Sequence, residues 1–150
     1  MSFDSNVLVY TLDVDDRRHE RAAELILRAS KGDCVLALQS LGELYHVVTR
    51  KRLAPAEVVA GHVEDLLATF PTVAHDTAAL RLAVATNRRH GLPFWDAMLV
   101  ATVRGAGCDV LLTEDLQDGR DLDGLRILDP FAAGNERLVD LVLPPAAGAS

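Results

Sequence analysis

The sequence predicts one α/β domain, a three-layer α/β/α fold with a central parallel sheet. Three observations lead there. Short apolar runs alternate with longer stretches of helical periodicity, and those stretches are long enough to serve as crossovers between parallel strands. The 150 residues make up the length of a single ordinary domain, enough to bury about 70% of the unfolded surface without disulfides. Apolar residues at 49% and charged residues at 25% match a globular chain and exclude a disordered or fibrous one.

Each element has its own signal. Met1 and Phe3 form a very short apolar start, followed by Asp4-Ser5-Asn6. Residues 15–30 read as a helix, with Ala22, Ala23, Leu25, Ile26 and Ala29 at helical spacing, and Lys31-Gly32-Asp33 breaks it. Asp13, Asp15 and Asp16 precede that helix and are read as its caps. Cys34 to Leu38 is a buried-strand candidate. Residues 40–52 are helical, with Leu41, Leu44, Tyr45 and Val48 on one stripe. Pro55 starts a helix that ends near Phe70-Pro71. Thr72 to Ala74 is a short strand. Asp76 caps a helix running to His90-Gly91, and Pro93 opens another that ends at Gly105-Ala106-Gly107. Asp109 to Leu112 and Leu125 to Leu128 are apolar strands. Asp118, Asp121 and Asp123 share a loop with Gly119 and Gly124, where turn chemistry accounts for them. A C-terminal extension covers residues 132–143, and the Pro/Gly/Ala-rich stretch 144–150 is expected to be a disordered tail.

Acidic residues outnumber basic ones, 22 to 15, for a net charge of −7. That balance argues against a broad phosphate-binding surface, although a bound metal can supply positive charge locally. Aromatics at 5% argue against a stacking platform for single strands. Cys34 and Cys108 are too few for a disulfide framework and read as small core residues in a reducing compartment. The N-terminal MSFDSNVLVY lacks the basic and apolar regions of a signal peptide, and no apolar stretch reaches the length of a membrane span. A soluble, cytoplasmic protein is expected.

Four acids stand where a strand has ended or a helix begins. Asp4 follows the first strand and Asp115 follows Val110-Leu111-Leu112. Asp96 lies in the first turn after Pro93, and Glu43 lies early in the helix after the second strand. In a parallel sheet these carboxylates can converge at one edge, where ligand sites form. Clustered carboxylates raise one another's pKa unless a cation sits among them, and oxygen-only ligands favour Mg²⁺ or Mn²⁺ over zinc. Such a cleft suits phosphodiester hydrolysis. Each acid also has a plainer role. Asp96 can oppose a helix N-terminus, and Glu43, one turn from His46 and two from Arg50, can sit on a solvated face. Asp115 can cap a turn, and Asp4 with Asn6 can make an Asx turn. Periodicity does not choose between these roles.

The motifs around the acids carry a resemblance. Phe3-Asp4-Ser5-Asn6-Val7-Leu8-Val9-Tyr10 is similar to the opening of PIN-domain ribonucleases. Gln39-Ser40-Leu41-Gly42-Glu43-Leu44-Tyr45, running into Thr49-Arg50-Lys51, resembles their second acidic motif. Phe94-Trp95-Asp96-Ala97-Met98-Leu99-Val100-Ala101 resembles the third, and Leu111 to Gly119 the fourth. Ile127-Leu128-Asp129-Pro130-Phe131 resembles the closing strand. The likeness covers residues 1–131 in order, and within the family it is greatest to VapC toxins of bacterial toxin–antitoxin pairs. Two departures stand out: almost nothing precedes Asp4, and an apolar extension with Leu138, Val139, Leu141, Val142 and Leu143 follows Phe131.

The resemblance implies a metal-dependent endoribonuclease with Asp4, Glu43, Asp96 and Asp115 as its catalytic acids. Asp4 and Asp96 would be the principal ligands of Mg²⁺ (or Mn²⁺), with Asp115 direct or through water. Glu43 would bind a second ion or orient the attacking water. Asn6 would brace Asp4, and Thr113 would line the site. The carboxyls of Asp4, Asp96 and Asp115 are expected within reach of one ion at about 2.0–2.6 Å. Arg50, Lys51 and Arg52 are candidate RNA contacts, because they share a helix with Glu43. An RNA substrate, a cognate antitoxin and a homodimer are the implied partners, with no membrane role. Asp118 is near enough in sequence to assist Asp115, and Trp95 is read as packing rather than base stacking.

Rival classes fit less well. A phosphotransfer receiver domain and a haloacid-dehalogenase-like phosphatase both need a lysine that Lys31 and Lys51 are not placed to supply, and the latter needs an Asp where Asn6 stands. The remaining alternative is a non-catalytic RNA- or partner-binding module on a PIN-like fold.

Overall fold

The computed structural model describes residues 1–146 and Gly148. The elements in chain order are β1 (Ser2–Phe3), α1 (Ser5–Tyr10), α2 (His19–Ala29), β2 (Leu36–Ala37), α3 (Leu38–Lys51), α4 (Ala56–Thr69) and β3 (Thr72–Val73). They continue with α5 (Thr77–His90), α6 (Phe94–Gly105), β4 (Val110–Leu112), β5 (Asp121–Leu122), β6 (Leu125–Leu128) and α7 (Glu136–Val142).

The sheet is parallel through β1, β4 and β6, with Phe3 opposite Leu112 and Leu112 opposite Leu128. β5 adds an antiparallel edge to β6, giving the order β1-β4-β6-β5. β2 and β3 form a second parallel pair, and the Val35 N–H donates to Met1 O at 3.1 Å, tying that pair to the free side of β1. Successive strand residues face opposite ways, and two cores result. Phe3, Leu112 and Leu128 join Val7, Leu8, Leu25, Leu44, Val48 and Val139 on one side. Leu111 and Ile127 join Ala83, Ala97, Val100 and Val103 of α5 and α6 on the other. This is the expected three-layer α/β/α arrangement.

Several expected elements shift, each for a local reason. Ser5–Tyr10, which no periodicity marks, is helical because the Asp4 carboxylate caps it, accepting from the Ser5 N–H at 2.7 Å. The helix expected from residue 15 begins at His19, because Asp16 accepts both from the Arg18 N–H and from its guanidinium and holds the preceding turn. None of Asp13, Asp15 and Asp16 caps α2: Arg18 stands at its N-cap and no side chain bonds the first helical N–H groups. The strand expected over Cys34–Leu38 shrinks to Leu36–Ala37, and Leu38 already opens α3. β5 was not anticipated; two residues are too few to show alternation. Asp76 caps α5 as expected, accepting from Ala79 N–H at 2.8 Å, and Gly91 ends that helix with φ 67°. Cys34 and Cys108 are buried and unbridged, as expected.

The extension after Phe131 completes the core. Val139 and Leu143 are buried, although Leu141 is exposed. Arg28, buried in α2, donates through Nη2 to Asp140 Oδ1 at 2.8 Å and through Nε to Pro144 O at 2.6 Å. Pro144 is thereby anchored at the start of the stretch expected to be disordered. Ala147, Ala149 and Ser150 of that stretch lie outside the described residues. Among the described residues no helix is long and apolar enough to cross a membrane.

Candidate active site

Three parallel strands and one helix deliver the four acids to the same edge. Asp4 follows β1, and its N–H extends the ladder to Leu112 O at 2.9 Å. Asp115 lies three residues beyond β4. β2 passes directly into α3, which carries Glu43 in its second turn. α6 begins after Pro93, so Asp96 stands in its first turn, where the helix dipole favours a negative charge.

Asp4 is the most enclosed of them, 5% exposed. Oδ1 accepts from the Ser5 N–H, and Oδ2 accepts from the Thr113 hydroxyl at 2.8 Å. Burial pushes its pKa up to about 6; the bonds from Thr113 and Ser5 pull the other way, and the charges of Asp115 and Asp96 add to the rise. Asp96 is also raised, by burial first and then by Asp115 and Glu43. Asp4 is thus within electrostatic reach of Asp115 and Asp96, and Asp96 within reach of Asp115 and Glu43. Glu43 is not on a solvated face: Oε2 accepts from Ser5 Oγ at 2.8 Å and Oε1 from Gln39 Nε2 at 2.9 Å.

The supporting residues differ in detail from the expectation. Asn6 does not brace Asp4 directly. Its Nδ2 donates to Thr113 Oγ1 at 3.1 Å, and Thr113 in turn donates to Asp4. The Asp115 N–H also donates to Thr113 Oγ1 at 3.1 Å. Thr113 therefore links two of the acids as well as lining the site. Ser5 and Gln39 were missed. Both lie inside the acidic motifs, but only the fold brings Ser5 to Glu43 across 38 positions.

A hard cation fits the chemistry of this donor set. All its donors are oxygens, and Asn6 Oδ1 and Gln39 Oε1 are buried with no hydrogen-bond donor facing them. Neither amide is better flipped, because each amide nitrogen already faces acceptors. A ready-made chelate is not present, contrary to the expectation. Among the described residues, no three His, Cys, Asp or Glu side chains are close enough to hold one ion. Like charges with no cation between them repel, and Asp4 and Glu43 take hydroxyl and amide donors instead.

The other sequence candidates separate. Lys51 lines a cleft of about 490 Å³ with Ser5, Asn6 and Asp115, whereas Arg52 lines a different cavity and Arg50 neither. Asp118 does not join the acids. It accepts from the Asp129 N–H and Asn135 Nδ2 and fastens its loop to the residues after β6. Trp95 is 59% exposed with its ring edge-on to Phe94, so it is not core packing; the first turn of α6 points it outward.

The sequence matches the PIN domain over residues 1–123. Among solved structures, the chain is similar to the VapC20 toxin of Mycobacterium tuberculosis, described as cleaving the sarcin–ricin loop. Identity is 22%, coverage 76% of this chain and 90% of that one, and the TM-score 0.62. It is also similar to a toxin–antitoxin complex from Klebsiella pneumoniae, with 20% identity, coverage of 87% and 97%, and a TM-score of 0.63. DNA-bound VapBC from Salmonella typhimurium gives 20% identity, coverage of 86% and 96%, and a TM-score of 0.61. At these identities the likeness is one of fold. No curated protein matches the chain.

Proposed function

This chain belongs to the PIN domain family, and from that premise we propose that it is a metal-dependent endoribonuclease, the toxin of a toxin–antitoxin pair. The observation that supports the reading is the hydrogen-bond chain that joins the acids: Thr113 bonds both Asp4 and the Asp115 N–H, and Ser5 bonds both Asp4 and Glu43, with Asp96 near enough for its charge to act on Asp4. Capping α1 accounts for Asp4 alone, and a cap does not call for further carboxylates close enough to repel it.

Asp4 and Asp96 would hold Mg²⁺ or Mn²⁺, with Asp115 and Glu43 completing the set. The bound ion supplies charge neutralisation at the phosphate and a water of lowered pKa. The protein's own residues do the rest. Thr113 fixes the Asp4 carboxylate and the 113–115 turn together. Ser5 and Gln39 orient Glu43, each bonding one of its oxygens and leaving each a second lone pair for the ion or the attacking water. Lys51, beside Asp115, meets backbone phosphate.

The test is cleavage of single-stranded RNA by the purified chain with Mg²⁺ or Mn²⁺, with chelator, and with Asp4→Asn or Asp96→Asn. Metal-dependent cleavage lost in both variants supports the reading. RNA binding without cleavage in any metal would select the non-catalytic alternative.

The complexes among the structural neighbours support a cognate antitoxin as partner, and a homodimer and a cytoplasmic setting complete the proposal. An antitoxin Arg placed among the carboxylates would compete with the metal, being always charged and bidentate toward carboxylate. Inhibition should then weaken as Mg²⁺ or Mn²⁺ is raised at a fixed toxin–antitoxin ratio. Inhibition indifferent to metal would place the antitoxin elsewhere.

A further inference from the structure

Beside the acids lies the cleft of about 490 Å³, bounded by α1, the turn before α2, the end of α3 and the turn after β4. Its volume is in the roughly 300–1,000 Å³ range of sites that take a small ligand. Asn6, Tyr10, Asp13, Arg18, Lys51 and Asp115 supply its polar lining, and Val9, Val47 and Leu53 its apolar part.

One wall is rigid and already committed. Arg18 Nη1 donates to both Glu114 oxygens at 2.8 Å, and its Nε and Nη2 donate to Asp16, each at 2.8 Å. Tyr10 Oη donates to Glu114. The Arg18 guanidinium lies over the Tyr10 ring, 4.0 Å from its centroid, and Phe131 meets that ring edge-on. Arg18 therefore has no charge to spare for a phosphate, and it covers one face of Tyr10. Lys51 also lines the cleft, outside this network, and brings the cation that a phosphate can use. Asp13 lines the cleft with a carboxylate outside the same ion pairs.

We propose that this cleft seats the nucleotide next to the scissile phosphodiester of a single-stranded RNA, with its phosphate on Lys51 and its base edge on Asp13. The proposal deepens the nuclease reading and rests on it. Charge sets the orientation. Asp13 and Asp115, and the Asp16 and Glu114 that share the single charge of Arg18, repel a phosphate, so it goes to Lys51, the lining cation outside that network. The base lies against Val9, Val47 and Leu53. A carboxylate only accepts hydrogen bonds, so it favours a base with an exocyclic amine. Uracil offers one imide N–H between two carbonyl oxygens that the carboxylate repels. Cytosine is therefore preferred over uracil at this position.

The test uses the full chain at low ionic strength, without metal, and fluorescein-labelled 12-nucleotide oligo-C and oligo-U, followed by anisotropy. The two strands differ in stacking as well as in base edge, so the Asp13→Asn variant, measured on both, isolates the base-edge contribution. The wild type should bind oligo-C about tenfold more tightly, the scale of one base-edge discrimination. Asp13→Asn, which can both donate and accept, should level that preference. Lys51→Ala should weaken both strands about tenfold and flatten the slope of log affinity against log salt by about 0.7. Arg89→Ala, whose guanidinium pairs with Asp123 on the β5–β6 turn, should change binding less than about twofold. Melting curves check each fold, and Lys51→Gln stands in if Lys51→Ala is damaged. Unchanged affinity and salt slope in Lys51→Ala, or an undiminished oligo-C preference in Asp13→Asn, would overturn the subsite. These measurements need neither metal nor turnover, so they can fail while wild-type cleavage in Mg²⁺ or Mn²⁺ still supports the nuclease. Absence of that cleavage removes the nuclease reading by itself.

Discussion

Thr113 ties the acidic site together through a single hydroxyl, which donates to Asp4 and accepts from Asn6 and from the Asp115 N–H. That uses its one hydrogen and both lone pairs. Thr113→Val should destabilise the chain by about 1–3 kcal/mol, because buried partners lose their bonds. It should also raise the Asp4 pKa further, since the Thr113 bond holds that value down; a carboxyl titration by NMR reads this. Asp4 itself gives a pH dependence of defined sign. Its pKa is about 6 in the fold against an ordinary 3.8, so the folded chain binds this proton more tightly than the unfolded one. Without metal, the contribution of Asp4 to stability is highest below the ordinary value, falls as pH rises between about 4 and about 6, and stays low above. The scale is at most about 3 kcal/mol at 1.36 kcal/mol per pH unit. Asp4→Asn should remove this dependence and melt at or above the wild type at neutral pH without metal, while losing cleavage. A melting series across pH checks it, and a large loss of stability instead would assign Asp4 a structural role. At this scale the acids were legible in the sequence because they sit inside motifs. Ser5 and Gln39 were not, because a serine or glutamine carries no signal until the fold supplies its partner.

Among the elements, α7 shows how an extension becomes part of a fold. Its Val139 enters the core, and Arg28 of α2 binds both Asp140 and the chain beyond α7. Arg28→Ala should cost about 1–3 kcal/mol, since carbonyls lose a charged donor. Hydrogen exchange should show the loss concentrated in α7 and spare β4 and β6. Uniform deprotection would mean that α7 does not open separately. Long elements were readable: α5 runs from its Asp76 cap to Gly91, as the capping signals predicted. Short ones were not. α1 spans 6 residues and β5 only 2, less than the length over which either periodicity can register.

At the scale of the molecule, repulsion among the acids and metal binding are coupled. An ion that binds the folded chain and not the unfolded one stabilises it by mass action, about 2.7 kcal/mol at a hundred times its dissociation constant. Mn²⁺ or Mg²⁺ should therefore raise the wild-type melting temperature, and Asp96→Asn should lose most of that rise. Thermal melting against metal concentration decides it; an equal rise in the variant would mean the ion binds elsewhere. The same titration should release Asp4 and Glu43 from some of their present hydroxyl and amide partners, since those oxygens are needed for the ion.

By itself the sequence determined the layer architecture, the long helices and the family likeness, and it nominated the four acids. These depend on local periodicity, on capping residues and on short motifs, all of which are written contiguously. The tertiary structure alone decided which donors hold the acids, that Lys51 rather than Arg50 or Arg52 faces the cleft, and that Arg18 is spent on Asp16 and Glu114. Those pairings join residues as far apart as Asp4 and Thr113, 109 positions along the chain. Their partners are chosen by strand register and helix direction, which emerge only when the whole core packs.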